Sequence, residues 1–152
     1  MNPLIKKLNF KDQEIVAILG APESFTPTVD EWQELANIDT HLKRDTKYAF
    51  MLCFVTGKGD VQQFSEQIDG SLVDDAVLWL VYPKKSSKKY QTDINRDDGW
   101  QPLGDLGFEP VRMVAVDEDW SALRFRQAEH IKSLTRDSKM AMSEVGKKRT
   151  KK

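Results

Sequence analysis

Three short apolar runs constrain the fold of this chain more than any other feature. They are Ile15–Leu19, Tyr48–Val55 and Ala76–Tyr82, stopped respectively by Gly20-Ala21-Pro22, by Thr56-Gly57-Lys58-Gly59 and by Pro83. A strand with one wet face alternates apolar and polar residues. These runs are apolar throughout, the pattern of strands covered on both faces, and hence of a parallel sheet in an α/β domain. Parallel strands need crossovers. Val61, Phe64 and Ile68 share one helical face, with Asp60 placed to cap that helix. Thr28-Val29-Asp30-Glu31 reads as a capping box opening a second helix, ahead of an edge strand near residues 36–42. A short helix is expected before the first strand, and another from Asn95, as its cap, to Gly104 or Gly107.

The last part of the body has a different pattern. Val111–Val116, the acidic turn Asp117-Glu118-Asp119 and the arm Trp120–Arg126 form a hairpin in which Leu123 and Phe125 share one face and Arg124 and Arg126 the other. The expectation is one α/β domain over residues 1–127, with a mostly parallel sheet, helices on both faces and a C-terminal antiparallel hairpin. At 152 residues and 39% apolar composition such a chain buries roughly 68–70% of its unfolded surface, so it needs no disulfide or structural metal. One Cys makes no intramolecular disulfide, and one Cys with two His lacks the usual zinc-ligand spacings. No apolar run reaches membrane-spanning length, and Met1-Asn2-Pro3 opens no signal peptide, so a cytoplasmic location without a membrane partner is expected.

Charge divides the chain. Residues 129–152 hold eight basic and three acidic residues, while the remainder holds 15 basic and 21 acidic. The segment 128–152 is therefore a basic tail, flexible or helical, on an acidic body. It suits nucleic acid by charge, but it lacks the aromatic residues that stack on bases, which favours a solvated tail.

In order, the elements resemble a shortened class I methyltransferase fold, a Rossmann-like sheet closed by an inserted antiparallel last strand. The stretch Trp79-Leu80-Val81-Tyr82-Pro83-Lys84-Lys85-Ser86-Ser87 is similar to a family of small bacterial proteins known only as a domain of unknown function. So are Thr92-Asp93-Ile94 with Arg96-Asp97, and Ala115–Glu118 with Trp120–Phe125. Leu19-Gly20-Ala21-Pro22-Glu23 fits the family's first turn, with Gly20 where Asn is expected. The resemblance spans about residues 3–127 and implies the fold, but it brings no activity with it.

The methyltransferase likeness implies adenosylmethionine, normally held by a Gly-rich turn after the first strand and an acidic residue ending the second. Gly20-Ala21-Pro22-Glu23 offers one Gly and then a Pro, which removes flexibility and one N–H donor. Asp39 is the candidate acid. Open α/β sheets bind ligands beyond the carboxyl ends of their strands, where strand order reverses. That edge should carry Gly20, Ala21, Pro22, Glu23, Thr56, Lys58, Lys84, Lys85, Ser86, Ser87 and Asp117. The lysines and hydroxyls after Pro83 suit a phosphate or carboxylate. Lys88 and Lys89 read better as solvated, and Arg124 and Arg126 as partners of carboxylates such as Glu118 or Asp119. Asp93, Asp97 and Asp98 read better as helix caps, and Asp117-to-Ser121 as a turn anchored by Trp120.

No nucleophilic triad, P-loop or metal site is legible: Cys53 lies in an apolar strand, His41 and His130 have no recognisable partners, and Gly57-Lys58-Gly59 is not a phosphate loop. The expected function is a non-catalytic module binding a small anion at the Lys84/Lys85 edge. The alternatives are a small-molecule methyltransferase with a divergent cofactor turn, and nucleic-acid association through residues 132–152.

Overall fold

The computed structural model describes residues 2–95 and 98–131. Along the chain run α1 (Pro3–Lys7), β1 (Ile15–Leu19), α2 (Thr26–Gln33), β2 (Asn37–Asp39), β3 (Tyr48–Phe54), α3 (Lys58–Ile68), β4 (Leu72–Pro83), α4 (Gln101–Gly104), β5 (Phe108–Ala115) and β6 (Trp120–Gln127). The six strands form one sheet in the order β2-β1-β3-β4-β6-β5. The first four are parallel, and β6 and β5 close the sheet antiparallel. After β1 the chain goes outward to β2 and then returns to place β3 on β1's other side. Strand order therefore reverses between β1 and β3.

The unbroken apolar runs are explained by cover on both faces. Val16, Ile18, Phe50, Leu52, Val77, Trp79 and Val81 pack under Ile5 and Leu8 of the N-terminal segment and Trp32 of α2. Ala17, Leu19, Met51, Cys53, Leu78 and Leu80 pack under Val61 and Ile68 of α3 and Leu103 of α4. Trp79, wholly buried, also donates its indole Nε1–H to Leu8 O at 2.8 Å, which ties α1 to the sheet.

Several boundaries differ from the sequence expectation, each for a local reason. Helix α2 begins at Thr26, with Phe25 as an N-cap that makes no side-chain bond, so the Thr28 capping box is unused; Pro27 sits in the first turn, where its missing N–H costs nothing. Helix α3 begins at Lys58, so Asp60 is inside its first turn rather than at its cap. Asp60 reaches back to accept from Thr56 N and Thr56 Oγ1, both at 2.9 Å. The expected helix from Asn95 to Gly107 shrinks to Gln101–Gly104. Asn95 instead pairs with Asp98 in an isolated β-bridge, and the Trp100 indole, packed on Tyr82 and Phe125, donates to Asn95 O at 2.8 Å. The edge strand near 36–42 is the three-residue β2. Strand β5 begins at Phe108 and carries Pro110 beside a register shift on the sheet's outer edge, where Pro is tolerated.

Of the tail, Ala128–His130 form a 3-10 turn, while residues 132–152 lie outside the described residues, as do Arg96 and Asp97. No helix among the described residues is long and apolar enough to cross a membrane.

Candidate functional site: the carboxyl rim of the sheet

The parallel strands deliver their stop segments to one rim, and aromatic rings underpin it. Phe25 after the β1 turn meets Phe54 at the end of β3 (4.9 Å between centroids). Phe54 meets Trp120 at the start of β6 (5.4 Å), and Trp120 meets Tyr90 in the loop after β4 (4.8 Å). The expected Trp120 anchor is thus present, joined to the β3 end and the loop after β4, and through Phe54 to the β1 turn.

Polar contacts cross-brace the same rim. Lys84 N donates to Asp119 O and Ser87 Oγ donates to Asp119 Oδ1, both at 2.8 Å. Ser87 Oγ in turn accepts from Lys89 N and Tyr90 N. Asp117 Oδ1 accepts from Asp119 N and Trp120 N, so Asp117 shapes the turn. Asp93 Oδ1 accepts from Lys58 N at 2.8 Å, and a Cβ on Gly57 would meet that same oxygen at 3.2 Å. Asp93 therefore caps α3 from a distant loop, the capping role expected of it but on another helix. Lys58 Nζ pairs with Asp98 at 3.2 Å. The Pro83–Ser87 and Asp117–Ser121 sequence motifs are thus bonded to each other.

This bracing spends Ser87, Asp117, Asp119, Thr56 and Lys58 on structure and, among the described residues, leaves the Lys84 and Lys85 side chains without an ion pair. Both line a cleft of about 550 Å³ with Tyr82, Ser86, Met113 and Ser121. Lys89 instead places its ammonium near the Tyr90 ring, 5.9 Å from the centroid. Gly20 stands two strands away from Lys84. With Leu19 level with Cys53 and Leu80 in register, the separation is about 14 Å by strand spacing and rise. Ala21, Pro22 and Glu23 lie on the β1 side of that gap. The rim is common to all the expected residues, but the lysine cleft does not include the β1 turn.

A second, larger cleft was not anticipated from the sequence. It encloses about 960 Å³ between Leu19 and Gly20, the 40–47 segment, Phe64 and Gln67 of α3, and Gly70 and Ser71. The segment Thr40-His41-Leu42-Lys43-Arg44-Asp45-Thr46-Lys47 crosses from β2 to β3 without a helix, and this bare crossover leaves the space open. The signal was there as an unusually basic link between two strands, lacking the helical periodicity of the other crossovers.

The adenosylmethionine demand can be tested at this cleft. Gly20 adopts φ +73°, and a Cβ there would stand 3.1 Å from Phe54 O, so the glycine serves a tight approach to β3. No further glycine follows before α2, and Pro22 and Pro27 lack N–H donors. Asp39, ending β2, is 9% exposed; its Oδ2 accepts from the Tyr48 hydroxyl at 2.8 Å and its Oδ1 lies 3.3 Å from Lys43 Nζ. Both oxygens are engaged within the protein. Burial and the Asp39 carboxylate together raise the Tyr48 pKa, so the phenol stays a donor. These residues do not fit the usual contacts of the cofactor. Cys53 offers no nucleophile either, since burial drives its thiol pKa far upward.

Sheet order, face assignment and closing hairpin define a methyltransferase-like Rossmann fold, and solved structures bear this out. The chain is similar to an SAM-dependent methyltransferase from Aquifex aeolicus, with a TM-score of 0.53 and 14% identity over 82% of this chain and 88% of that one. It is similar to the ribosomal protein L11 methylase of Lactobacillus delbrueckii subsp. bulgaricus, with a TM-score of 0.51 and 13% identity over 81% and 74%. The N-methyltransferase NodS of Bradyrhizobium japonicum WM9 gives 0.51 and 10% over 82% and 92%. No protein-family model and no curated protein sequence matches the chain. These comparisons support the fold alone and lend no support to the likeness to an uncharacterised bacterial family.

Proposed function

We propose that this chain binds a small anionic ligand at the carboxyl rim of a methyltransferase-like scaffold, with Lys84 and Lys85 as its cationic contacts. The observation that carries this reading is a pair of lysines free of carboxylate partners among the described residues, on a cleft whose backbone is braced by Lys84 N–Asp119 O and Ser87–Asp119. A braced backbone fixes where the two ammonium groups start, so less ordering opposes binding. Ser86 and Ser121 add hydroxyls able to donate to an oxyanion.

A second reading, methyl transfer with a divergent cofactor turn, is the one the structural likenesses favour. A specific feature supports it: the 960 Å³ cleft opens at Leu19, Gly20 and Thr40, beyond the carboxyl ends of β1 and β2, where strand order reverses. Its lining counts against the usual cofactor, because Lys43, Arg44 and Lys47 outnumber Asp45 around a ligand that is itself cationic at sulfur.

Thermal-shift measurements with phosphate, pyrophosphate, citrate, adenosylmethionine and adenosylhomocysteine separate the two. A ligand at 100 times its Kd stabilises by about 2.7 kcal/mol. Stabilisation by the anions that is weakened in Lys84→Gln/Lys85→Gln supports the first reading. Stabilisation by the adenosyl compounds alone, retained in that double variant, replaces it with the second.

A further inference from the structure

The sheet carries a second cationic feature, on the face opposite the lysine cleft and lower down the strands. Arg112 of β5 and Arg124 of β6 are direct register partners, and Arg126 follows on the same face of β6. Arg126 is committed, since its Nε and Nη2 donate to the two oxygens of Asp75, each at 2.7 Å. This corrects the expectation that Glu118 or Asp119 would partner the β6 arginines: Asp75 lies on the neighbouring strand β4, near the β6 end where Leu78 pairs with Phe125, whereas Glu118 and Asp119 are at the opposite end of the hairpin.

Arg112 and Arg124 remain. Like charges facing each other across a β-ladder repel, and a buried charged donor without an acceptor is costly. Among the described residues, Arg124 Nε is buried with no hydrogen-bond partner, and Arg112 is exposed and unpaired. Burial first, then the positive neighbours Arg126 and Arg112, lower the Arg124 pKa, with Asp75 opposing them. Asp75 is already satisfied by Arg126. Two guanidinium groups are therefore held side by side with their fork-shaped donors unspent.

We propose that Arg112 and Arg124 form an oxyanion site that takes the phosphoryl group of a small molecule. A phosphoryl dianion balances the two uncommitted guanidinium charges, and it accepts paired N–H bonds from each. It would supply the acceptor that Arg124 Nε lacks and remove the repulsion across β5 and β6. The site is separate from the lysine cleft. Arg124 pairs with Trp79, four residues below the Pro83–Trp120 pair at the rim, and it shares its face with Trp120 and Ala122, whereas Tyr82 and Ser121 face the lysine cleft.

The test reads the arginine Nε–Hε signals of the full chain by NMR while inorganic phosphate is added, with acetate as the carboxylate comparison. The expected result is a saturable movement of the Arg124 and Arg112 signals with phosphate, Arg126 moving less, and acetate weaker by about tenfold. Arg112→Gln, an exposed change that leaves the fold intact, should weaken phosphate at least about fivefold. Lys84→Gln/Lys85→Gln should leave the phosphate-induced movement of the Arg124 and Arg112 signals unchanged. An Arg124 signal that stays still through the phosphate titration overturns the proposal, as does undiminished binding in Arg112→Gln. Acetate binding as tightly as phosphate overturns the phosphoryl assignment.

Discussion

Ser87→Ala is the sharpest probe of how the rim is built. The hydroxyl donates to the Asp119 carboxylate at 2.8 Å and accepts two amide bonds, from Lys89 N at 3.2 Å and Tyr90 N at 3.1 Å. A bond to a charged group that is partly shielded from water contributes about 2 kcal/mol, and the two longer amide bonds about 0.5 kcal/mol each. The expected loss is therefore about 2–3 kcal/mol, which for a chain of this size lowers Tm by about 5–10 °C. Urea and thermal unfolding of the variant measure it, with Lys84→Gln as a control whose stability should change by less than about 0.5 kcal/mol. A double-mutant cycle with Asp119→Ala isolates the pair and should give a coupling of about 1–2 kcal/mol. A coupling near zero would mean that Ser87 and Asp119 act independently, and that the two sequence motifs do not brace each other.

Other expectations follow from the same contacts. Gly20→Ala should cost about 1–2 kcal/mol for a left-handed backbone, with an added penalty from the approach to Phe54 O, read by denaturant melts. The Asp75 carboxyl is held below its ordinary pKa chiefly by the hydrogen bond from Arg126. Its contribution is thus present above the unfolded carboxyl value and lost as pH falls through the lower folded one. Asp75→Asn should cost about 1 kcal/mol at neutral pH after allowance for partial exposure, and the difference from wild type should vanish in acid. His130 is raised chiefly by its hydrogen bond with Asp74, so its NMR titration should fall back toward the ordinary histidine value in Asp74→Asn. The support this contact gives is present below the unfolded histidine value and lost as pH rises through the raised one. Cys53 should resist thiol reagents in the native state and react only on unfolding.

Much of the architecture was legible because burial on both faces writes itself into unbroken apolar runs. Tyr48–Phe54 and the apolar end of β4 were readable for that reason, and the Arg/Leu alternation of β6 exposed the hairpin. What was not legible depended on distant partners. Asp93 reads as a local cap but caps α3, 35 residues earlier in the chain. Asn95 reads as a helix start, but Trp100 packing and the bridge to Asp98 hold that segment in a turn. The Lys84-to-Ser87 segment could be placed at a rim from sequence, whereas its division into bracing serine and free lysines required Asp119 to be seen beside it. The large cleft was missed because a missing crossover helix leaves no motif, only the absence of one.

The most direct test of the account is a backbone amide NMR titration of the full chain with phosphate, pyrophosphate and citrate, run on wild type and on Lys84→Gln/Lys85→Gln. Saturable shifts at Lys84–Ser87 and Ser121, absent from the double variant, are the predicted result. Shifts that leave this stretch untouched for every anion, or that are identical in the two proteins, would contradict it.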